Sequence, residues 1–417
     1  MTGLSCVVDW LLVALTCAAC AYAWFAALAP APRTPSSAAR EGWRAPVSVL
    51  KPLYGAEPRL YENLATFCSQ RHPRYQIVCG VASPTDPAIA VVRRVQANFP
   101  GCDLELVIDS RVHGKNLKVS NLINIAQRAR YDRLVIADSD IAVGPDYLER
   151  VSAPLADPSI GVVTCLYHAR DVGGFWARIG AQFVDAWFAP SVRIAHLGGS
   201  SDFGFGATLA LTRDTLDRIG GLAALKDELA DDYWLAALPR RVGRRTVLSE
   251  VSVRTDVIEA SFAALWARET RWLRTIRSLK GGGFASLLIT FTAPWLLVGA
   301  HLAVRLEATL PGLIAACAAS AGVLARLVLH ARGSPSRLVF WRDLPLVPVR
   351  DALLFCVWVA AAFGTHVSWR GARIAVAGGA RELRRGRRRT MRTARRAPGA
   401  TRFDGTGLNG RAARRAD

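Results

Sequence analysis

Charge is missing from four long parts of this 417-residue chain. Trp10 to Ala29, Phe284 to Val304, Ala308 to Ala325 and Ala352 to Trp369 hold no Asp, Glu, Lys or Arg. Runs of this length suit membrane segments and argue against a wholly soluble protein. No basic residue precedes the first run. It therefore lacks the n-region of a cleaved signal peptide and reads as a retained anchor. A disulfide framework is also missing, because the nine cysteines are odd in number and irregularly spaced. Cys17 and Cys20 form a C-x-x-C inside an apolar run, where small packing residues are the expected reading. The thiols are expected to be reduced and the globular part cytoplasmic. There is no P-loop and no H-E-x-x-H, and Gly204-Phe205-Gly206 is too short for a dinucleotide fingerprint.

Acidic residues are outnumbered, 33 against 53 Lys and Arg, for a formal net charge of +20. Such an excess implies an anionic partner: nucleic acid, lipid headgroups or nucleotide phosphates. Much of it lies in the tail, where Arg381 to Arg396 holds nine arginines and one Glu. That segment is expected to be disordered and to touch anionic lipid; nucleic acid is not an expected partner.

The order along the chain is an N-terminal anchor (1–32), a Pro/Ser/Ala linker (33–45), an α/β domain (46–283), a membrane region (284–371) and a basic tail (372–417). Arg33, Arg40 and Arg44 follow the anchor, so the positive-inside bias places the domain in the cytoplasm. If all four apolar runs crossed, the tail would end on the opposite side. One C-terminal run, that from Ala352, is therefore expected to lie in the interface or re-enter. Within the domain, strands are read at Val47–Leu50, Tyr75–Val81, Leu104–Ile108 and 133–138. Helices are read at Leu60–Gln70, Pro87–Asn98 and Val119–Ala129. The alternation predicts a parallel sheet with crossover helices.

Leu134-Val135-Ile136-Ala137 is a buried-strand run that ends in Asp138-Ser139-Asp140. Ligands collect at the carboxyl ends of such strands. Asp-x-Asp there suits a divalent cation carrying a diphosphate, although an Asp-rich turn would look the same. Asp86 follows a strand end, where a turn before Pro87 is the simpler reading. Asp231 and Asp232 repel each other, which raises their pKa and suits a proton acceptor; helix-start acids need no function, however. Arg268, Arg271 and Arg274 share one helix side with Trp272 beside them, as a basic amphipathic membrane helix would also arrange them. Lys118 is a candidate phosphate contact, with a plain structural role equally expected. Gly281-Gly282-Gly283 reads as the end of the basic helix and the turn into the membrane. Aromatics between Phe175 and Phe205 suit either an apolar acceptor groove or ordinary core.

Lys51-Pro52-Leu53, Asp86-Pro87-Ala88-Ile89, Lys118 with Asn121-Leu122, Asp138-Ser139-Asp140, Asp231-Asp232-Tyr233 and Arg268-x-x-Arg271-Trp272 stand in a telling order. Together they resemble the ceramide glucosyltransferase-like branch of the inverting family 2/21 glycosyltransferases. Phe203-Gly204-Phe205-Gly206-Ala207-Thr208 and Arg271-Trp272-Leu273-Arg274-Thr275-Ile276-Arg277 are most similar to the bacterial hopanoid-biosynthesis glycosyltransferases. The resemblance runs from about Val47 to Gly371. It implies a GT-A type fold in a multi-pass protein of the bacterial inner membrane, a UDP-sugar donor, a membrane-lipid acceptor and Mg²⁺ or Mn²⁺. Lys51, Asp86, Lys118 and Asp138 would bind the donor, and Asp138 and Asp140 the metal. Asp232 would be the general base with Asp231 beside it. Arg268, Arg271 and Trp272 would hold the diphosphate or the acceptor end. Asp231 stands where relatives often have Glu. A basic membrane scaffold and a processive synthase are the competing readings, the latter needing more spanning helices.

Overall fold

The computed structural model describes residues 3–33, 45–364, 366–369 and 372–375. The linker from Thr34 to Arg44 and the arginine tail lie outside the described residues. One eight-stranded sheet organises the α/β domain: β1 (Val47–Pro52), β2 (Tyr75–Val81), β3 (Leu104–Ile108), β4 (Arg133–Ile136), β5 (Ile141–Ala142), β6 (Ile160–Asp171), β7 (Leu209–Thr212) and β8 (Arg245–Val257), in the spatial order β3-β2-β1-β4-β7-β6-β8-β5. β1, β2 and β4 are buried almost throughout, as strands covered by helices on both faces must be. The half of the sheet from β3 to β4 is parallel, as the alternation predicts.

The other half departs from that expectation. β7 runs antiparallel to both β4 and β6, and β5 runs antiparallel to β8. These reversals build the site. Ile136 pairs with Leu209, so continuing the ladder brings Asp138 onto the chain just before β7, and its N–H donates to the Gly206 carbonyl at 3.3 Å. Ile141 pairs with Thr255, which sets Asp140 against the end of β8. The four first strands and the Leu60–Cys68, Ala88–Asn98 and Leu117–Ala126 helices fall within a few residues of the sequence reading.

Among the described residues, three helices are long and apolar enough to cross a membrane: Leu4–Leu28, Leu310–Gly333 and Leu346–Phe363. A bent pair, Gly281–Thr290 and Thr292–Arg305, meets at 53°. Pro294 sits in the first turn of the second member, where its missing N–H costs nothing but the preceding helix cannot run through it. The break thus falls in the run from Phe284, not in the run from Ala352. Packing nevertheless sets the last helix apart. The Gly3–Leu28, Thr292–Arg305 and Leu310–Gly333 helices pack on one another, while Leu346–Phe363 lies chiefly against the Phe262–Leu279 helix of the α/β domain. Arg350 of that last helix is 1% exposed and makes two bonds to the equally buried Glu269, at 2.7 and 2.8 Å. The tail boundary at residue 372 also shifts, because Ala372–Ala375 pairs antiparallel with His366–Trp369.

Candidate active site

Asp138, Asp140, Asp231, Asp232, Lys118, Arg268, Arg271 and Trp272 all line one cavity of about 580 Å³ at the carboxyl edge of β4. Each arrives on a different device. The β4 strand ends at Ile136 and delivers the Asp-x-Asp turn. The Leu117–Ala126 helix delivers Lys118 from its first turn; its N-cap Asn116 accepts from Val119 N and donates to Asp231 at 3.2 Å. That second bond ties it to the Asp231–Arg241 helix, whose first turn holds both acids.

Lys118 Nζ lies 2.6 Å from Asp138 and 3.5 Å from Asp231. Burial opposes its charge, but Asp138, Asp231 and Asp232 outweigh burial and hold its pKa above the usual range. Asp232 accepts from Tyr233 N at 2.8 Å and Gly206 N at 3.2 Å. Burial first, and repulsion from Asp231 second, push its carboxyl up to about 6 despite Lys118. Gly204 and Gly206 are required by close approach. A Cβ on Gly206 would lie 2.6 Å from Asp138 Oδ2, and one on Gly204 would lie 2.6 Å from the Asp232 carbonyl.

Asp140 accepts from Thr255 Oγ1 at 3.1 Å. Burial, then Asp138 and Glu57, push its carboxyl up to about 7. Crowded, buried negative charge of this kind suits a hard divalent cation. Among the described residues no cluster of three or more His, Cys, Asp or Glu forms a closed metal cage. A cation held by Asp138 and Asp140 would therefore be completed by substrate oxygens and water, the usual arrangement for a metal on a diphosphate.

The two arginines differ. Arg268 Nη1 is 2.6 Å from Glu259, and its guanidinium lies 5.1 Å from the Trp272 ring centroid. The Arg271 guanidinium lines the same wall with no hydrogen bond or ion pair to any described residue, and burial lowers its pKa. Arg271 thus presents its whole guanidinium to a ligand, whereas Arg268 holds Glu259 through Nη1 and leaves only Nε and Nη2 without a hydrogen-bond partner.

Two sequence-predicted residues do not line the cavity. Lys51 is fully buried behind it, over the Phe67 ring at 3.8 Å, and donates to the Asp138 carbonyl at 2.7 Å. Burial pushes its pKa down to about 8. The Asp86 carboxylate accepts from Gly55 N at 3.1 Å and Ala88 N at 2.9 Å, shaping the loop after β1. Sequence reading missed Glu57 and Glu259, which do line the cavity. Both follow the carboxyl ends of strands, β1 and β8, and that position was the available signal.

Apolar rings line the same cavity: Phe183, Trp187, Phe188, Phe203 and Trp272. Phe203 and Phe205 stack at 5.6 Å between centroids, and Phe183 packs on Trp272 at 5.4 Å. The last lining residue, Lys280, directly precedes the bent apolar segment.

An α/β sheet whose Asp-x-Asp turn, helix-start acids and basic helix share one cavity is a GT-A type fold joined to apolar helices at both ends. The chain belongs to Glycosyl transferase family 21, which it matches over residues 9–382. It is 25% identical over 232 residues to "Ceramide glucosyltransferase 3" of Caenorhabditis elegans, covering 55% of this chain and 50% of that protein. It is 26% identical to "Ceramide glucosyltransferase 1" of the same organism, covering 55% and 49%. The chain thus matches about half the length of these relatives. A solved structure of a mannosyltransferase from Pyrobaculum calidifontis, in complex with GDP-Man and Mn²⁺, is 23% identical with a TM-score of 0.48, covering 85% of this chain and 99% of that one.

Proposed function

We propose that this protein is a metal-dependent, inverting glycosyltransferase that moves a sugar from a UDP-linked donor to a hydroxyl of a membrane lipid. It would work at the cytoplasmic face of a bacterial inner membrane. One observation carries the reading. Asp138, Asp140, Asp231, Asp232, Lys118 and Arg271 share a cavity that is also lined by aromatic rings and whose lining ends where the bent apolar segment begins.

In this reading Asp138 and Asp140 would hold Mg²⁺ or Mn²⁺ for the donor diphosphate. The cation would supply positive charge to the leaving UDP. Arg271 would add a charge-assisted contact to the diphosphate, and such contacts strengthen as the leaving group becomes more anionic. A carboxylate with a pKa of about 6 is ionised at neutral pH yet more basic than a solvated one. Asp232 thus takes the proton of the lipid hydroxyl as its oxygen attacks the sugar C1. A single displacement converts an α-linked donor into a β-linked product. Lys118 and Asp231 set the charge around Asp232. Lys51 fixes the Asp138 backbone, Asp86 shapes the donor-side loop, and Arg268 and Trp272 form the wall toward the acceptor.

The pair we assign is N-acetylglucosamine onto a hopanoid polyol, bacteriohopanetetrol. Glucose onto ceramide is the second reading, favoured by the ceramide glucosyltransferases among the relatives. Lipid mass spectrometry of a deletion strain tests both. The assignment expects an N-acetylhexosaminyl hopanoid to vanish and return on complementation. Loss of a hexosyl ceramide selects the second reading, and an unchanged glycolipid profile overturns both.

A further inference from the structure

Arg326 and Asp351 are charges placed inside apolar helices, and the transfer mechanism uses neither. Arg326 stands seven residues, or about 10 Å, before the end of the Leu310–Gly333 helix. Asp351 stands five residues into the Leu346–Phe363 helix. They pair at 2.5 Å, with side chains 10% and 11% exposed. A buried pair of this kind is often no more stable than apolar residues of the same volume, so stability alone does not account for it. An ionisable group at membrane depth points to a function.

The further partner of Arg326 lies in the α/β domain. Its Nη1 donates to the Ala186 carbonyl at 3.2 Å. Ala186 belongs to a π-helical turn, Val184–Phe188, after which the Ala189 N–H reaches back five residues to the Val184 carbonyl. Pro190 follows, and its missing N–H denies the Ala186 carbonyl the donor that an α-helix supplies from four residues on. Arg326 fills that place. The carbonyl is half of the peptide bond to Trp187, and both Trp187 and Phe188 line the cavity. The next carbonyl, that of Trp187, accepts from Ser191 Oγ at 2.6 Å. A hydroxyl has one proton, so Tyr22 of the first apolar helix donates to Ser191 at 2.7 Å. The Trp187 indole N–H donates to Thr290 Oγ1 at 2.9 Å, at the last residue before the bend. On the other side the Phe188 ring meets the Phe205 ring at 5.2 Å, and the adjoining Gly206 N–H donates to Asp232 at 3.2 Å. Contacts thus run without a break from Arg326 to the proposed base.

We propose that Arg326 is a positioning residue for the transfer step. From within the apolar helices it fixes the π-helical turn, and with it the Trp187 and Phe188 rings against which the Phe205–Gly206 loop and Asp232 are set. Asp351 keeps the guanidinium aimed at the turn. This rests on the transfer reading above and adds to it a coupling between the packing of the apolar helices and the geometry at the base. Asp138, Asp140 and Arg271, assigned to the donor diphosphate, sit on other elements, so donor binding is expected to survive a loosened turn.

The test uses the full chain in nanodiscs, with radiolabelled UDP-N-acetylglucosamine or UDP-glucose and a total bacterial lipid extract as acceptor. A second sample carries fluorotryptophan, whose Trp187 resonance is identified by its loss in Trp187→Phe. Arg326→Met alone strands Asp351, so the pair is removed together as Arg326→Met with Asp351→Leu, which leaves no buried charge. In that double variant Tm, UDP affinity and donor KM are expected to stay near the wild-type values. The Trp187 resonance is expected to shift or broaden, and kcat to fall about 10–100-fold, the scale of a small misplacement near the reacting atoms. Arg326→Lys retains a donor and is expected to recover part of kcat. A double variant with wild-type kcat, or with an unmoved Trp187 resonance, reduces the pair to a fastening between helices and overturns the proposal. Loss of UDP binding together with kcat also overturns it, since the damage is then general. If the wild type binds UDP yet labels no lipid, the transfer reading itself fails, an outcome that no Arg326 variant is needed to see.

Discussion

Replacing Asp232 with Asn should abolish transfer and at the same time stabilise the fold. The Asp232 carboxyl is raised to about 6 from the ordinary aspartate value of 3.8, chiefly by burial and by Asp231. A shift of about two pKa units corresponds to ~3 kcal/mol of penalty on the ionised form. The folded state binds the proton more tightly than the unfolded chain. The penalty is therefore complete above about pH 7, shrinks as pH falls through 6, and is gone below about pH 4. An amide of the same shape carries no such penalty, but it cannot accept from both Gly206 N and Tyr233 N without reorienting its NH₂ group. The net gain should be ~1 kcal/mol at pH 7.5, or about 2–4 °C in Tm for a domain of this size, vanishing near pH 4. Loss of the base should lower kcat by roughly 10²–10⁴-fold. Thermal unfolding in detergent across pH 4–8 and a radiolabelled transfer assay read the two effects. A variant that keeps wild-type kcat, or one destabilised equally at all pH values, would refute the reasoning.

Other consequences follow from the same geometry. Arg271→Ala should lower kcat by roughly 10²-fold or more, the scale expected for removing one preorganised donor to a leaving group. Arg268→Ala should act mainly by leaving Glu259 unpaired, so Glu259→Gln in that background should recover stability; equal kcat losses for the two arginines would contradict this division. Gly206→Ala should cripple transfer, because its Cβ would lie 2.6 Å from Asp138 Oδ2; retained activity in a steady-state assay would show that the loop yields. Glu269→Ala strands the buried Arg350 and should cost about 3–5 kcal/mol, while Glu269→Leu with Arg350→Met should recover most of it; a denaturation double-mutant cycle measures the coupling.

The first half of the sheet was legible because β-branched runs alternating with helices permit few other folds. The Asp-x-Asp turn was legible because a strand run stops on it. The reversed strands were not. Nothing in Leu209-Ala210-Leu211-Thr212 states its direction, which follows from the loop that brings Gly206 to Asp138. Sequence order could list acids and bases but not rank them. Lys51 supports the Asp138 backbone from behind, Asp86 shapes the loop after β1, and Arg268 is held by a glutamate that no motif contains. The membrane part was readable by composition alone. The bend at Phe291 and the docking of the last helix through Arg350 depend on local proline chemistry and on a partner 81 residues away in sequence.

The central claim is that Asp138 and Asp140 bind a cation-bearing sugar nucleotide beside the bilayer. Titration calorimetry of UDP into the full-length protein, with Mn²⁺ and then with EDTA, addresses it most directly. Binding is expected to require the cation, to weaken as pH falls below about 7 with protonation of Asp140, and to be lost in Asp140→Ala. UDP binding that is as tight in EDTA, or unaffected by Asp140→Ala, would contradict it.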